Sequence, residues 1–258
     1  MTGYVPIAAV LRELECRRGG ALLVGSDLLA WAAFASANGE TLRPDDVIDH
    51  FLEQVGPSGT LLFPAFNYGF TSTGRFDIRR TPPVTGALPR AALKRPEFRR
   101  TRHPMHSFAV AGAERDALCA MENLSSFGPD SPFAWMRERH AQMWIIGLGY
   151  QGAFTIAHHA EELEGAPYRY LKWFEGQYID DNGVATTRRY SMYVRDLERG
   201  VEADLTPMGE VFEARGVGFT RTLNGVPFRC VPDLVAAYDL MVEDLRTNGG
   251  RKMHRASS

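Results

Sequence analysis

The chain has 258 residues, a formal charge of -2 at pH 7, 45% hydrophobic residues and 23% charged residues. These values are typical of a globular protein that buries a sizeable core in one large domain or two small ones. The near balance of charge gives no support to a nucleic-acid partner or an anionic membrane partner. The apolar runs are shorter than the roughly 20 residues of a membrane span, and the N-terminus lacks a secretory pattern, so we expect a cytoplasmic protein.

The first part of the chain alternates between helical and strand patterns. Apolar residues at helical spacing predict helices over residues 7–18 and 45–55, and short apolar runs predict buried strands over 21–24 and 60–64. This alternation indicates an α/β fold, with a central mixed sheet covered by helices on both faces. Residues 67–89 are rich in Gly, Thr, Pro and Arg and show little periodicity, so we predict a long inserted loop there. Loops of this length are often functional.

The second part continues with a short helix near 88–94 and strands at 108–111 and 143–147. Shorter alternating pieces follow, and a final helix is predicted around 231–245. Neither an internal repeat nor an interdomain linker is recognisable, so we predict one domain over residues 1–247. The segment 248–258 is polar and basic and begins near two glycines, which predicts a disordered tail.

The segment 155–162, Thr-Ile-Ala-His-His-Ala-Glu-Glu, places two imidazoles and two carboxylates shortly after a predicted buried strand. In a helix, His158 would lie three residues from Glu161 and four from Glu162, so either carboxylate can share its face. A carboxylate orients an imidazole and raises its basicity, as a general base near neutral pH requires. The plainer interpretation is a surface helix whose acidic residues favour its N-terminus.

A metal-dependent hydrolase is an alternative interpretation of the same segment, with His158, His159 and Glu161 acting together. Zinc sites built on one helix usually show His-Glu-x-x-His, whereas the two imidazoles here are adjacent and point in different directions. The three cysteines are widely separated and show no CxxC spacing, so they indicate neither a thiolate metal site nor a disulfide framework. We therefore predict no metal ion.

Two further segments could bind anions. The loop 25–27, Gly-Ser-Asp, follows a predicted strand and could present backbone amides to a phosphate or a carbonyl oxygen, although it contains neither GxGxxG nor GxxxxGK[ST]. Residues 99–107 concentrate arginines and histidines, which fits either a phosphate site or a solvated loop. No Gly-x-Ser-x-Gly motif occurs, so a serine hydrolase has little support.

Four segments, taken in order, resemble the aminoglycoside 3-N-acetyltransferase family. Residues 23–27 are similar to the family's Leu-Val-His-Ser-Ser, and residues 59–66 to its Gly-Thr-Leu-x-x-Pro-x-Phe. Residues 100–108, followed by 128–133, are close to family patterns, and the segment ending at Glu161 is similar to Asn-Thr-x-x-His-x-Ala-Glu. The resemblance covers roughly residues 8–245, and the ordered set is far more specific than any one motif.

The resemblance implies a single α/β domain that binds acetyl-coenzyme A, or another short acyl-coenzyme A, and acylates an amine of an amino sugar. By the matched positions, His158 would be the base and Glu161 its orienting partner. A neutral imidazole can accept the proton that the attacking amine must lose. The segments expected to line the coenzyme cleft contribute four hydroxyl side chains, Ser26, Ser107, Ser131 and Thr155. Of these, Ser107 and Thr155 are candidate donors to the oxyanion.

Two positions depart from the family patterns. Phe154 stands where the last motif has Asn, and Gly25-Ser26-Asp27 stands where the first has His-Ser-Ser. Both departures concern contacts with the coenzyme and the choice of acyl group rather than the base. They prompt a second alternative, a non-catalytic protein that binds coenzyme A without turnover.

The acceptor is predicted to contact Glu162, Tyr168 and Arg169. A polycationic aminoglycoside would prefer carboxylates, whereas a nucleotide-linked amino sugar would favour the cations and aromatic rings of residues 166–174, including Arg169 and Lys172. The other interpretation of 166–174 is a buried aromatic segment whose Arg and Lys reach water. A small-molecule amine is therefore the expected partner, and assembly as a homodimer is left open.

Overall fold

A seven-stranded mixed sheet forms the centre of the structure, a computed structural model that describes residues 3–256. Strand β1 (Ala21–Ser26) runs parallel to β2 (Thr60–Pro64) and β6 (Gln142–Ile146), whereas the other neighbouring strands of this sheet are antiparallel. The mixed sheet confirms the predicted fold class. Across the sheet the strands are β10 (Phe219–Leu223), β11 (Val226–Val231), β6 (Gln142–Ile146), β1 (Ala21–Ser26), β2 (Thr60–Pro64), β5 (Phe108–Gly112) and β4 (Arg99–Arg100).

Helices cover both faces of this sheet because successive side chains of each buried strand point to opposite sides. On β1, for example, Leu22 and Val24 belong to one hydrophobic core and Leu23 to the other. The core that contains Leu22 and Val24 also contains side chains of α1 (Ile7–Arg12), α2 (Leu29–Ala37), α3 (Pro44–Val55) and α5 (Ala87–Ala92). The core that contains Leu23 also contains side chains of α6 (Arg115–Ala120), α7 (Pro132–Glu138), α8 (Tyr150–Ala153), α9 (Ala157–Leu163), α10 (Thr206–Ala214) and α11 (Leu234–Asn248).

No helix within residues 3–256 combines the length and apolarity needed to cross a bilayer.

Local sequence explains why α3 was readily predicted. Pro44 occupies its first turn, where a missing N–H costs nothing, and Asp45 and Asp46 favour the positive end of the helix dipole. Gly56 ends it at a positive φ of 66°. The apolar side chains of this helix, including Phe51, then bury against the sheet.

A second, smaller sheet was not anticipated. Strand β7 (Arg169–Ile179) pairs with β8 (Ala185–Arg195) along eleven residue pairs, and β3 (Arg75–Asp77) runs parallel to β7. Much of β7 is exposed, so it lacks the apolar pattern that marks a buried strand. Helix α4 (Gly69–Thr73) and β3 also interrupt the predicted loop 67–89, which corrects that prediction for these residues.

The predicted disordered tail is wrong for residues 248–256, and residues 257–258 lie outside the described residues. Helix α11 extends to Asn248, and the two following glycines adopt positive φ angles of 65° and 76° that turn the chain back. Met253 then enters the core, with 1% of its surface exposed. The chain finishes in β12 (His254–Ala256), which pairs antiparallel with β9 (Val201–Ala203). The folded unit therefore extends beyond residue 247.

Candidate active site

Helix α9 carries the imidazole and carboxylate that the sequence singled out. Nδ1 of His158 lies 2.6 Å from Oε2 of Glu161, one turn further along the helix. The Glu161 side chain is buried, whereas 24% of the His158 side chain is exposed. Among the described residues, Nε2 of His158 has no hydrogen-bond partner. The carboxylate thus holds the ring from inside and leaves one nitrogen for another partner.

Two predicted acceptor-binding residues instead contact Glu161. The Tyr168 hydroxyl donates to Oε1 at 3.0 Å, and Arg169 Nε lies 2.7 Å from Oε2. Arg169 is itself buried and also donates from Nη1 to the Tyr193 carbonyl at 3.2 Å. The cause is the turn after α9: Gly165, at a φ of 63°, reverses the chain so that the start of β7 returns beneath the carboxylate. Both side chains therefore hold Glu161, and their contact with the acceptor stays a prediction.

The charges of this cluster favour a neutral imidazole beside an ionised carboxylate. Burial, helped by the nearby charge of Arg169, lowers the pKa of His158 below its ordinary value even though Glu161 opposes the shift. Burial would raise the pKa of Glu161, but His158, Arg169 and Tyr168 together bring it below its ordinary value. An ionised Glu161 accepts the hydrogen bond, so we assign the proton to Nδ1 of His158. Nε2 is then a proton acceptor.

A cavity of about 630 Å³ opens at the carboxyl end of β1, close to the start of α9. Ser26 and Thr155, two of the predicted coenzyme-binding residues, line it. No hydrogen bond of either hydroxyl is found within residues 3–256, so both remain available to a ligand. His158 is not in the cavity wall, but its backbone N–H donates to the Thr155 carbonyl at 3.0 Å, which places it one turn further on. Mostly apolar walls with a few hydroxyls are typical of small-molecule sites.

The other two predicted coenzyme-binding serines do not line this cavity. Ser107 is fully buried, donates to the Ala65 carbonyl at 2.8 Å and accepts from Arg100 Nε at 2.8 Å. Ser131 is also fully buried, donates to the Gly128 carbonyl at 2.7 Å and caps the start of α7. Both hydroxyls are engaged by the protein itself. The structure thus brings together Ser26 and Thr155 and separates Ser107 and Ser131 from them.

Glu162 lies one helical turn after His158, on the same face of α9. Its Oε2 accepts a hydrogen bond from the Ser125 hydroxyl at 2.8 Å, and its side chain is half-buried. Burial raises the pKa of Glu162 above its ordinary value, with Asp130 adding to the effect and Ser125 opposing it. A carboxyl group therefore lies on the same face of α9 as the imidazole.

A buried pair of histidines lies next to this site and was missed by sequence reasoning. His106 Nδ1 lies 3.0 Å from the Ser126 hydroxyl, and His103 Nε2 lies 3.4 Å from the same oxygen. On its other side, His106 Nε2 lies 3.4 Å from the hydroxyl of Tyr68, which lines the cavity. Burial lowers the pKa of His103 to about 3. The matched segment 100–108 contained both histidines, but their spacing gave no sign that they share one serine.

The alternative metal site is not assembled. His159 is fully buried, and its Nδ1 lies 2.6 Å from the Phe127 carbonyl, away from His158 and Glu161. Within residues 3–256, no group of three or more His, Cys, Asp and Glu side chains has the geometry to hold a metal ion. The segment therefore offers one imidazole and one carboxylate in contact rather than three ligands around an ion.

Phe154, the departure from the Asn of the last motif, is a core residue. Only 1% of its surface is exposed, and its ring packs against Tyr150 and Phe212 with centroid distances of 5.7 and 5.2 Å. It does not line the cavity. Phe154 therefore packs α8 against α10.

Comparison with known proteins gives consistent matches along the chain. The sequence profile of the aminoglycoside 3-N-acetyltransferase family matches residues 29–245. Aminoglycoside N(3)-acetyltransferase VII of Streptomyces paromomycinus is 34% identical over 196 residues, which are 67% of this chain and 67% of that protein. Aminoglycoside N(3)-acetyltransferase IV of Salmonella sp is 30% identical over 161 residues, covering 61% of this chain and 58% of that protein.

The fold is also shared with solved structures. AAC-IIIb in a binary complex with CoASH superposes with a TM-score of 0.75 at 24% identity, over 95% of this chain and 98% of that one. These matches place the protein among the enzymes that transfer acyl groups from coenzyme A to amines. The chain belongs to the aminoglycoside 3-N-acetyltransferase family, whose members use acetyl-coenzyme A as the acyl donor. The non-catalytic alternative has no support from these relatives.

Proposed function

We propose that the protein transfers an acetyl group from acetyl-coenzyme A to an amine of an aminoglycoside, with His158 as the general base and Glu161 as its orienting partner. The observation that carries the proposal is the 2.6 Å contact between Nδ1 of His158 and Oε2 of Glu161, which leaves Nε2 unpartnered in a member of this family. The family supplies the reaction class, and the geometry of the pair supports the proposed roles.

In the proposed mechanism, Nε2 of His158 carries the proton from the acceptor amine to the leaving thiolate. As the acceptor nitrogen attacks the thioester carbonyl, Nε2 of His158 accepts the proton that the nitrogen loses, and Glu161 stabilises the imidazolium that forms. The carbon–sulfur bond breaks, the coenzyme leaves as a thiolate, and the imidazolium returns the proton to it. An amide and a thiol result. Because the pKa of His158 is lowered by burial and by Arg169, the imidazole is neutral and ready to accept a proton at neutral pH.

The acyl donor is proposed to lie in the cavity lined by Ser26 and Thr155. An apolar wall with two unpaired hydroxyls fits a pantetheine arm, which carries amides and hydroxyls on an aliphatic chain. Thr155 precedes the base by one turn, so its hydroxyl is the remaining candidate donor to the oxyanion after Ser107 is found engaged elsewhere.

For the acceptor, the charges support an amine-rich sugar. Glu162 stands one turn from His158 and gives a cationic acceptor a carboxylate beside the base. The case for a nucleotide-linked sugar depended on Arg169, but this guanidinium forms an ion pair with Glu161. Lys172 is exposed on β7 and lies over the ring of Phe174, with Nζ 5.6 Å from the ring centroid. The names of the two relatives also support an aminoglycoside as the acceptor, since both are aminoglycoside acetyltransferases.

A thiol-release assay with acetyl-coenzyme A tests the function, using a panel of aminoglycosides and a panel of nucleotide-linked amino sugars. We expect turnover with the first panel and a loss of about 10²–10⁴-fold in His158→Ala, the range for a positioned general base. His140→Asn is a matched control, because His140 also contacts a carboxylate, Asp233 Oδ2 at 2.9 Å, but on the surface. Unchanged turnover in His158→Ala would refute the assignment of the base, and turnover with the second panel alone would refute the acceptor.

We propose a cytoplasmic enzyme, as the sequence predicts, with neither nucleic acid nor a membrane as partner. Assembly as a homodimer stays a prediction, which the mass of the purified protein in solution would test.

A further inference from the structure

A second cavity, of about 450 Å³, is strongly cationic although the whole chain carries a formal charge of only -2. Its wall contains one carboxylate, that of Asp181. The cationic side chains in the wall are Arg79, Arg80, Arg90, Lys94, Arg99 and Arg100. A concave surface lined by one sign of charge concentrates counter-ions, so this cavity attracts anions.

Most of this charge is not neutralised within the protein. Among residues 3–256, Arg79 pairs with Asp77 at 3.4 Å and Arg99 with Asp116 at 3.2 Å. The other four cations of the wall have no carboxylate partner within that part of the chain. The cavity therefore presents several positive charges that are free to meet a ligand.

Arg100 forms the buried part of this wall, with 7% of its surface exposed. Its N–H groups donate to neutral oxygens: the Ser107 hydroxyl at 2.8 Å, the Ala65 carbonyl at 2.7 Å and the Thr81 carbonyl. Burial lowers the pKa of Arg100 to about 10, so it stays protonated at neutral pH. A buried cation that lacks a counter-ion is unfavourable, and an anion in the adjacent cavity would compensate it.

We propose that this cavity binds the phosphate group of a ligand, held by Arg80, Arg90 and Lys94 in front of the positive charge of Arg100. Guanidinium groups bind phosphate oxygens through two parallel hydrogen bonds, and an ammonium group adds a point charge. Arg90 is already oriented, because its Nε donates to the Pro83 carbonyl at 3.0 Å. The proposal does not depend on the assignment of His158.

The cavity shares a loop with the active-site cavity. Residues 78–83 line the cationic cavity, and residues 84–87, which follow directly, line the other one. The wall of the active-site cavity contains Asp27 but neither Lys nor Arg within the described residues. The phosphate can therefore come from two sources, the nucleotide end of coenzyme A reaching across the shared loop or a separate phosphorylated molecule.

Calorimetry with inorganic pyrophosphate and the full chain tests the site. We expect saturable binding that weakens at least tenfold in the double variant Arg80→Gln/Lys94→Gln, which changes two exposed side chains. The control Arg12→Gln/Arg251→Gln removes two exposed cations elsewhere and should bind as the unmodified protein does. Absence of saturable binding, or equal affinity in the first double variant, would overturn the proposal.

Competition then identifies the source. Displacement of pyrophosphate by coenzyme A but not by 3′-dephospho-coenzyme A assigns the site to the 3′-phosphate, and displacement by both assigns it to the diphosphate. Displacement by neither assigns the site to a separate phosphorylated ligand. These measurements need no acyl transfer, so they stay informative even if the proposed base proves wrong.

Discussion

Arg169 Nε lies 2.7 Å from Oε2 of Glu161, the same oxygen that holds Nδ1 of His158. The carboxylate thus stands between a guanidinium and an imidazole. Together with the imidazole, the guanidinium holds the pKa of the Glu161 carboxyl below its ordinary value, and its positive charge also disfavours the imidazolium. A single buried arginine therefore affects both members of the pair, and it does so from the first residue of β7, outside the helix that carries them.

Replacement of Arg169 by Gln should move the acidic limb of the pH profile of kcat/KM to higher pH. The charge of Arg169 lowers the pKa of His158, so its removal raises that pKa and the base becomes protonated at a higher pH. The measurement is kcat/KM between pH 5 and about 8, where an imidazole titrates.

Arg169→Lys is the matched control, because it keeps the charge while changing the shape of the group. Its acidic limb should stay close to that of the unmodified enzyme. A profile that falls in height at every pH but does not shift in Arg169→Gln would mean that Arg169 acts on the position of Glu161 and not on the pKa of His158.

Three strands at the centre of the main sheet, β1, β2 and β6, could be predicted because they are buried on both faces. Strand β2 is buried throughout and matches the predicted strand over 60–64, and β1 and β6 were placed to within two residues. Of the long hairpin, the sequence showed only a short alternating piece at 190–194, within β8. Strand β7 was missed, since residues 170–173 are exposed and show neither alternation nor a buried run. Burial, rather than strand propensity, decided which strands were visible in the sequence.

The contact between His158 and Glu161 was predictable for a local reason, whereas its surroundings were not. His158 and Glu161 are three residues apart on one helix, so their contact follows from helical geometry alone. The roles of Ser107 and Arg169 depend on contacts with distant residues. Ser107 Oγ meets the Ala65 carbonyl across 42 positions, and Arg169 folds back only because of the turn after α9. Sequence spacing carries no information on such contacts.

Two serine variants should separate the coenzyme site from the protein interior. Ser26→Ala removes a hydroxyl that has no protein partner within residues 3–256, so we expect KM for acetyl-coenzyme A to rise by roughly 2–10-fold, the loss of about one hydrogen bond, with unchanged stability. Ser107→Ala leaves Nε of the buried Arg100 without its partner and should cost about 1–3 kcal/mol of unfolding free energy.

Steady-state kinetics and urea unfolding of both variants provide the measurement. Because Ser107 is engaged by the protein, its variant should keep the KM of the unmodified enzyme at a temperature where it is folded. The opposite pattern, a raised KM in Ser107→Ala and a normal one in Ser26→Ala, would contradict the location of the coenzyme in the cavity at the end of β1.

The buried histidines predict a loss of stability in acid. Burial lowers the pKa of His103 from 6.5 to about 3, and burial with the charges of His103 and His158 lowers that of His106. Between pH 6.5 and about 3 the unfolded chain therefore binds protons that the folded protein does not, so the free energy of unfolding falls as the pH falls. Above pH 6.5 these imidazoles are neutral in the folded protein and in the unfolded chain, so they add no pH dependence to the free energy of unfolding.

Urea unfolding at several pH values from 7.5 to 4.5 measures this dependence. His140→Asn, at an exposed imidazole, is the comparison variant. A free energy of unfolding that stays level across this range would show that His103 and His106 bind protons in the folded protein as readily as in the unfolded chain.

The C-terminal segment should contribute to stability. Met253 is buried in the core that also contains Leu23. The Lys252 amide donates to Asp244 Oδ2 at 3.0 Å, and β12 pairs with β9. Met253→Ala should therefore lower the unfolding free energy by about 2–5 kcal/mol, the range for a truncated core side chain. The exposed neighbour Arg251, changed to Ala, is the matched control and should alter the unfolding free energy by less than about 0.5 kcal/mol. A chain ending at residue 247 with undiminished stability would instead show that β12 packs on a domain complete without it.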